Sequence, residues 1–273
     1  MNDSQPPPRR PHPLERPPAA PPPEPPPPRR VVSIPTTRPL LTYVLLGVIV
    51  LVYGAQQVAS AQQGNPFMID PLTARFMKIN PSIVHEGEYY RLFTAMFLHG
   101  SIAHLFFNGY ALYVIGQTVE RFFGRERFAL IFFLGGLSGS LASLVFTPSA
   151  SLGASGAIFA LLGAEGVFFF QHRHLFGDFG RSRFGNILFV AIINLVLGFA
   201  PGTGIDNWGH VGGLFGGLVL AWFIGPRLGL QQTALNGVVE VVDENPFQRS
   251  WTSALLYAGG LLVMTIFAIV GLG

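Results

Sequence analysis

Ser155 lies in the sequence where its hydroxyl could act as a nucleophile. It follows Gly153 and Ala154 and precedes Gly156, and this segment leads into an apolar stretch. At the start of a helix, unpaired backbone N–H groups and the positive end of the helix dipole point toward such a serine. Those donors could stabilise the oxyanion that forms when the hydroxyl attacks a carbonyl. The same segment is also typical of a serine that only caps its helix, with the glycines easing the turn.

His210 occupies a comparable position at the start of a later apolar stretch. Gly213 and Gly217 follow it at +3 and +7, so the three residues share one helix face. Small residues also recur after Ser155: Gly156, Ala160 and Ala164. If these two lanes pack together, a neutral His210 imidazole can take the Ser155 proton and return it to the leaving group. Lanes of small residues also occur as packing features alone.

A third pair of polar residues, His104 and Asn108, precedes both of these stretches. They are four residues apart, so on a helix they face the same way. Both can donate hydrogen bonds to a developing oxyanion, and both could instead bond across helices as packing contacts. His99 lies five residues before His104, and we expect it to point elsewhere and to support the loop.

The composition predicts that all these residues are held by membrane-spanning helices. Of 273 residues, 49% are hydrophobic and only 11% are charged, whereas a soluble domain carries about 25% charged residues. The mean hydropathy of +0.44 is too high for a surface that faces water. The chain has no cysteine, which excludes disulfides, Cys-ligated zinc, iron–sulfur clusters and thiol nucleophiles.

Seven apolar segments have about the 20 residues that a helix needs to cross the hydrocarbon core. The segments are continuous and long, which favours helices over barrel strands. The predicted spans are 39–59, 94–117, 127–147, 153–171, 185–200, 208–225 and 252–272. The predicted fold class is therefore all-α, a polytopic membrane helix bundle.

Basic residues fall mainly on one side of these spans. With the N-terminus in the cytoplasm, 14 of the 17 basic residues lie on that side, and only Arg75, Lys78 and Arg91 lie on the other. The positive-inside rule then predicts a cytoplasmic N-terminus and a non-cytoplasmic C-terminus.

The segments outside the spans differ in character. Of the 23 prolines, 16 lie between Pro6 and Pro39, so residues 1–38 are predicted to be a disordered Pro/Arg-rich cytoplasmic tail. Residues 60–93 form a long non-cytoplasmic loop, apolar enough to lie partly in the membrane interface. Residues 226–251 are predicted to be a cytoplasmic linker before the last span.

These elements together resemble the rhomboid family of intramembrane serine proteases. The matching residues are His104, Asn108, Gly153, Ala154, Ser155, Gly156, Gly209, His210, Gly213 and Gly217. Their order and spacing across 94–225 fit the family. The resemblance implies a six-helix core over 39–225, with a seventh transmembrane helix over 252–273 as some members have.

The resemblance also implies roles for individual residues. Ser155 would be the nucleophile and His210 the general base and acid, with no third acidic member. His104, Asn108 and the Ser155 backbone N–H would bind the oxyanion. Phe159 fits the aromatic position that stacks on the catalytic histidine. The supporting glycines would be Gly153, Gly156, Gly213 and Gly217. Tyr90 stands before Arg91 where many members have Trp-Arg, and this is a departure from the pattern.

The implied function is an endopeptidase that cleaves transmembrane segments near the non-cytoplasmic side. Its partners would be single-span or polytopic membrane-protein substrates and the lipid bilayer, with no nucleic acid. The resemblance also suggests small residues before the scissile bond and helix-breaking residues after it. No cofactor and no metal are expected, and a cell inner or plasma membrane is the expected location.

Two other intramembrane protease chemistries fail on the sequence. The zinc motif His-Glu-x-x-His is incomplete, because Tyr89 stands where the second histidine after His85-Glu86 would be. An aspartyl protease needs two membrane aspartates, and no predicted span has one; Asp206 sits alone in a short loop. A metal site of His99, His104 and His210, a transporter or channel, and an inert rhomboid relative that binds membrane proteins stay open.

Overall fold

The computed structural model describes residues 34, 36–64, 68–200, 202–232 and 239–273. Most of the predicted tail over 1–38 therefore lies outside the described residues. In the described part the α-helices are α1 (Leu40–Gln63), α2 (Pro71–Phe76), α3 (Asn80–Val84), α4 (Arg91–Thr94), α5 (Ile102–Ala111), α6 (Gln117–Phe123), α7 (Arg125–Phe146), α8 (Ser155–Gln171), α9 (Arg173–Gly198), α10 (Asn207–Ile224) and α11 (Phe247–Leu272). The all-α class is confirmed.

The centre of the bundle is formed by α7, α8 and α10, which approach each other through small residues. A side chain at Gly213 would overlap the Gly156 carbonyl, and one at Gly217 would overlap the Ala160 carbonyl. The two lanes of small residues therefore pack against each other at these positions. Such close approach gains dispersion contacts where lipid removes the hydrophobic drive between helices.

The second helical segment begins later than predicted and ends later. We expected a span over 94–117, but α5 begins at Ile102 and a wide π-type turn over Leu112–Gly116 joins it to α6. The late start has a local cause, because Leu98 is extended and the Ser101 hydroxyl caps α5 by accepting the His104 N–H at 3.1 Å. Residues 91–97 form separate short turns instead.

The fifth predicted span, 185–200, is part of a longer helix. α9 begins at Arg173, and its backbone leaves the helical region only at Gly177, with φ 55° and ψ −134°. Its first part carries the charged residues Asp178, Arg181 and Arg183. Those charges made this part of the sequence look like a loop, although charged side chains are compatible with a helix outside the hydrocarbon core.

The segment predicted as a linker, 226–251, contains a short antiparallel sheet. Strands β1 (Leu228–Gln232) and β2 (Val239–Asp243) pair with Leu228 opposite Asp243. Arg127 of α7 donates to Asp243 Oδ2 at 2.9 Å, and the Leu228 N–H donates to His172 Nε2 at 2.8 Å. These contacts attach the described part of the segment to the end of the bundle.

Four of the described helices are long and apolar enough to cross a membrane, namely α1, α7, α9 and α11, and α8 is a shorter apolar helix. Large apolar side chains on the outer faces of α1, α9 and α11 are exposed, as a lipid environment allows. The number of seven crossings and the orientation of the termini stay predictions.

Candidate active site

Ser155 is the first residue of α8, and the loop before it is held on two sides. The Gly153 N–H donates to the Ala95 carbonyl at 2.9 Å, and Ser151 pairs with Lys78 through two backbone hydrogen bonds. Gly153 has φ +128°, a conformation that only glycine adopts easily. The N-cap of α8 is Ala154, so the alternative that Ser155 is itself the helix cap is wrong.

This arrangement leaves the Ser155 N–H available. Among the described residues it donates no hydrogen bond, as expected for the first turn of a helix that lacks a side-chain cap. The side chain is half-buried. When the Ser155 hydroxyl attacks a carbonyl, the carbonyl oxygen becomes an oxyanion close to the Ser155 backbone. An unpaired N–H group at this helix start can donate a hydrogen bond to it.

His210 lies in the first turn of α10 and is nearly buried, with 8% of its surface exposed. The Phe159 ring stacks on its imidazole, with the ring centroids 4.3 Å apart and the planes at 10°. The stack connects α8 to α10 one turn below Ser155 and restricts the rotation of the imidazole.

The beginnings of α8 and α10 lie close together. The Gly209 carbonyl lies 3.3 Å from where a Cβ of Gly156 would be, and Gly139 of α7 lies beside both. In the described structure no hydrogen bond joins Ser155 Oγ to His210, and His210 Nδ1 is buried without a partner. Catalytic hydrogen bonds are often long before substrate binds and shorten in the reactive complex.

His104 lies against the loop that leads into Ser155. A Cβ at Gly153 would be 2.7 Å from His104 Nε2, so glycine makes room for the imidazole. His104 Nδ1 accepts the Gly100 N–H at 3.4 Å, which leaves Nε2 facing the loop. Asn108, one turn further on, donates its amide to the His104 carbonyl at 3.0 Å. His104 is therefore adjacent to the Ser155 loop, whereas the Asn108 amide nitrogen is engaged within its own helix.

The expectation that His99 points away from His104 is wrong. The two rings meet edge to face with centroids 5.0 Å apart, because the extended chain at Leu98 places His99 outside the helix. His99 does support the loop through its backbone, whose N–H and carbonyl both bond to the Gln56 side chain at 3.1 Å. Within the described residues no group of three or more potential ligands could hold a metal.

Two charged residues near the site were not identified as functional from the sequence. Asp206 caps α10 by accepting the Gly209 N–H at 3.0 Å, and it also accepts the Thr147 hydroxyl at 2.9 Å. Lys78, only 1% exposed, donates to three backbone carbonyls of the α7–α8 connection: Ser143 at 3.1 Å, Thr147 at 2.7 Å and Ser149 at 3.1 Å. Together they link the loop after α1, the end of α7, the connection before Ser155 and the start of the His210 helix.

Their surroundings shift the pKa values of both groups. Burial lowers the pKa of Lys78 to about 8, against the opposing influence of the Asp206 charge. Burial would raise the pKa of Asp206, but hydrogen bonds from Ser143, Gly209, Ser151 and Thr147 outweigh burial and hold it below the usual value. A signal for Asp206 exists in the sequence, because aspartate just before an apolar helix is a preferred N-cap. No comparable signal marks Lys78.

A small cavity lies next to Ser155. Its volume is about 30 Å³, which is enough for one water molecule. Its lining includes Ser155, Gly153, Ser151, Asp206 and Gly209. Polar groups therefore surround a water-sized space beside the candidate nucleophile.

Several known proteins are similar to this chain. A sequence model described as the Rhomboid domain matches residues 86–227. The chain is 41% identical over 193 residues to Rhomboid protease GluP of Bacillus subtilis (strain 168), an alignment that covers 70% of this chain and 36% of that protein. It is 37% identical over 157 residues to RHOMBOID-like protein 2 of Arabidopsis thaliana, covering 56% of this chain and 49% of that protein. It is 35% identical over 150 residues to RHOMBOID-like protein 1 of the same plant, covering 54% of this chain and 38% of that protein. The chain thus spans half or less of the length of each of these relatives.

Proposed function

From the premise that the chain belongs to the rhomboid family, and is therefore an integral membrane protein, we propose that it is an intramembrane serine endopeptidase with Ser155 and His210 as its catalytic dyad. The observation that carries the proposal is the meeting of two helix starts. Ser155 begins α8, His210 lies in the first turn of α10, and Phe159 stacks on the His210 ring between them. The similar protein of Bacillus subtilis is named a rhomboid protease, which supports proteolysis as the class of reaction.

In the proposed reaction, His210 removes the proton from Ser155 Oγ as the oxygen attacks the scissile carbonyl. The C–N bond then breaks, and His210 delivers the proton to the leaving amine. Water, deprotonated by His210, attacks the resulting ester. The bond between the acyl carbon and Ser155 Oγ then breaks, His210 returns the proton to Oγ, and the carboxylic acid product leaves. A single water-sized space beside Ser155 supports the supply of that water.

The negative oxygen of the intermediate needs donors at its position. The Ser155 N–H is unpaired among the described residues, and His104 lies against Gly153, two residues before Ser155. We assign both to the oxyanion site. Asn108 joins them if its amide turns away from the His104 carbonyl, to which it now donates at 3.0 Å.

The proposed substrates are single-span or polytopic membrane proteins, cut near the non-cytoplasmic side. A helical peptide bond is shielded by its own hydrogen bonds, so the substrate segment must unwind locally before attack. We also propose a cytoplasmic N-terminus, a non-cytoplasmic C-terminus and a cell inner or plasma membrane, supported by the count of basic residues.

Fluorophosphonate labelling of the purified chain, together with cleavage of a single-span substrate, tests the proposal. We expect wild type to label and cleave, and Ser155→Ala and His210→Ala to do neither. Ser182→Ala and His174→Ala are matched controls, since both residues are exposed on α9, and they should retain activity. A folded wild type that neither labels nor cleaves would favour the inert relative that binds membrane proteins.

A further inference from the structure

A second cavity lies at the end of the bundle opposite Ser155. Its volume is about 690 Å³. It is bounded by the segment before α1, the end of α6, the end of α8 and the first half of α9. Because α8 begins at Ser155 and ends at Gln171, the cavity and the candidate active site are separated by the length of this helix.

Three arginines from three different elements line this cavity: Arg38, Arg121 and Arg183. Among the described residues, no acidic side chain lines it. Arg183 is held in place by buried Glu165, whose Oε1 accepts from Arg183 Nη2 at 2.7 Å and from Nε at 2.9 Å. This carboxylate pairs with only one of the three guanidinium groups, so the described lining keeps a net positive charge.

The described residues engage the other two arginines only weakly. Arg121 makes one long side-chain hydrogen bond, from Nη2 to Gln117 Oε1 at 3.3 Å. Arg38 makes no side-chain hydrogen bond with the described residues and is exposed. The Thr37 N–H donates to the Arg121 carbonyl at 2.9 Å, which keeps the Arg38 segment next to the end of α6.

The rest of the lining is partly aromatic and partly hydroxyl. Phe122, Phe169 and Phe179 form the apolar part, and Thr36, Thr37 and Thr118 bring hydroxyl groups. Phe179 is 64% exposed, so most of its ring is available for contact with an apolar ligand. A ligand that satisfies the whole lining must carry both an anionic group and an apolar portion.

We propose that this cavity binds an anionic glycerophospholipid, with its phosphate on Arg38 and Arg121 and its acyl chains beside the exposed Phe179. Guanidinium groups bind phosphate oxygens through paired, charge-assisted hydrogen bonds. Helix ends of a membrane protein lie at the depth where lipid phosphates are found. A choline headgroup would bring a cation toward the arginines and is disfavoured. Free inorganic phosphate offers the same anion but leaves the exposed ring of Phe179 without a ligand contact.

The test is native mass spectrometry of the full chain, purified in neutral detergent and titrated with phosphatidylglycerol. Each arginine near a lipid surface contributes about a fivefold change in affinity, so we expect the Arg38→Gln/Arg121→Gln double variant to bind about 25-fold more weakly. Arg181→Gln is the matched control, because Arg181 lies on α9, outside the described lining, and pairs with the fully exposed Asp178. It should bind as wild type does.

Two further arms identify the ligand. Phosphatidylcholine should bind at least tenfold more weakly than phosphatidylglycerol, and inorganic phosphate at the same concentration should not displace the lipid. Phe179→Gln should weaken the binding of phosphatidylglycerol without changing the thermal transition of the lipid-free protein. Equal affinity of the double variant and wild type would overturn the site. Displacement by inorganic phosphate, with no effect of Phe179→Gln, would overturn the lipid assignment. None of these readouts depends on proteolysis.

Discussion

Helices α8 and α9 follow each other directly in the chain, yet their environments are opposite. Of the 17 residues of α8, 13 are buried, whereas only Gly180, Ile187, Ala191 and Gly198 of the 26 residues of α9 are. α8 begins with Ser155 and meets α10 almost backbone to backbone, while α9 presents a row of large apolar side chains outward. The difference indicates that the candidate chemistry is held by the part of the bundle where side chains have the least freedom.

This contrast has a physical cause in residue size. Glycine and alanine on α7, α8 and α10 allow contacts that a larger side chain would prevent, and dense packing transmits any displacement to Ser155 and His210. The residues on the outer face of α9 meet no such constraint. Substitutions should therefore be severe in the small-residue interface and mild on the periphery.

The largest expected effect comes from Gly213→Ala. The new methyl group would overlap the Gly156 carbonyl, so α8 and α10 must separate at the site, at a cost of about 3 kcal/mol. We expect proteolysis to fall by more than about 100-fold, because moving Ser155 away from His210 removes more than one oxyanion donor supplies. The melting temperature in detergent should also fall. Gly260→Ala in α11 is the matched control, since nothing lies within 4 Å of its added methyl group. Equal effects of the two substitutions would contradict the contrast between interface and periphery.

His104→Ala should have the next largest effect. The substitution should slow the chemical step of the reaction. An oxyanion donor contributes a factor of about 100 or more to kcat. We expect kcat to fall by about that factor with little change in KM, and the melting temperature to stay near that of wild type. The measurement is steady-state cleavage of a reconstituted single-span substrate. A change confined to KM would place His104 in substrate binding instead.

Lys78→Met should destabilise the protein by about 2 kcal/mol, because buried carbonyls of the α7–α8 connection lose their donor. The wild type should also respond to pH. The pKa of Lys78 is about 8 in the fold and 10.5 in the unfolded chain, so between these values the unfolded state binds more protons. Stability should therefore rise as pH increases from 8 to 10.5.

Melting temperatures at pH 7.5 and pH 9.5 check this prediction. In the Lys78→Met variant, the melting temperature should lack the increase with pH that Lys78 causes in the wild type. Arg75→Met is the control, because Arg75 is exposed in the same loop and is not bonded to the connection, and this variant should keep the increase. An identical pH slope in wild type and Lys78→Met would show that Lys78 does not titrate in this range.

Asp206→Ala should have the smallest effect of the four. Loss of an N-cap costs about 1 kcal/mol, and the Thr147 hydroxyl also loses its acceptor. The first turn of α10, which contains His210, then becomes less ordered. We therefore expect kcat to fall a few-fold and KM to stay nearly constant. Asp206→Asn keeps an acceptor oxygen at the cap and should restore most of the activity. A failure of Asn to restore it would point to the charge of Asp206 rather than to its capping.

Much of the fold could be predicted because lipid makes the sequence pattern simple. Backbone groups must bond within a helix in hydrocarbon, so long apolar segments predict helices directly, as at α1, α7 and α11. Boundaries were less certain where short-range contacts decide them. The Ser101 cap delayed α5, and charged residues before Gly185 hid the first half of α9. The strands β1 and β2 were missed because short paired segments carry a weak signal.

The amino-acid sequence by itself determined that this is an all-α membrane protein of the rhomboid type, and it singled out Ser155, His210, His104 and Asn108 by their spacing. Only the tertiary structure decided that His99 contacts His104, that Asp206 and Lys78 both bond to the connection before Ser155, and that three arginines line one cavity. The reason is that spacing along one helix determines which residues share a face, whereas contacts between distant segments depend on how the helices pack.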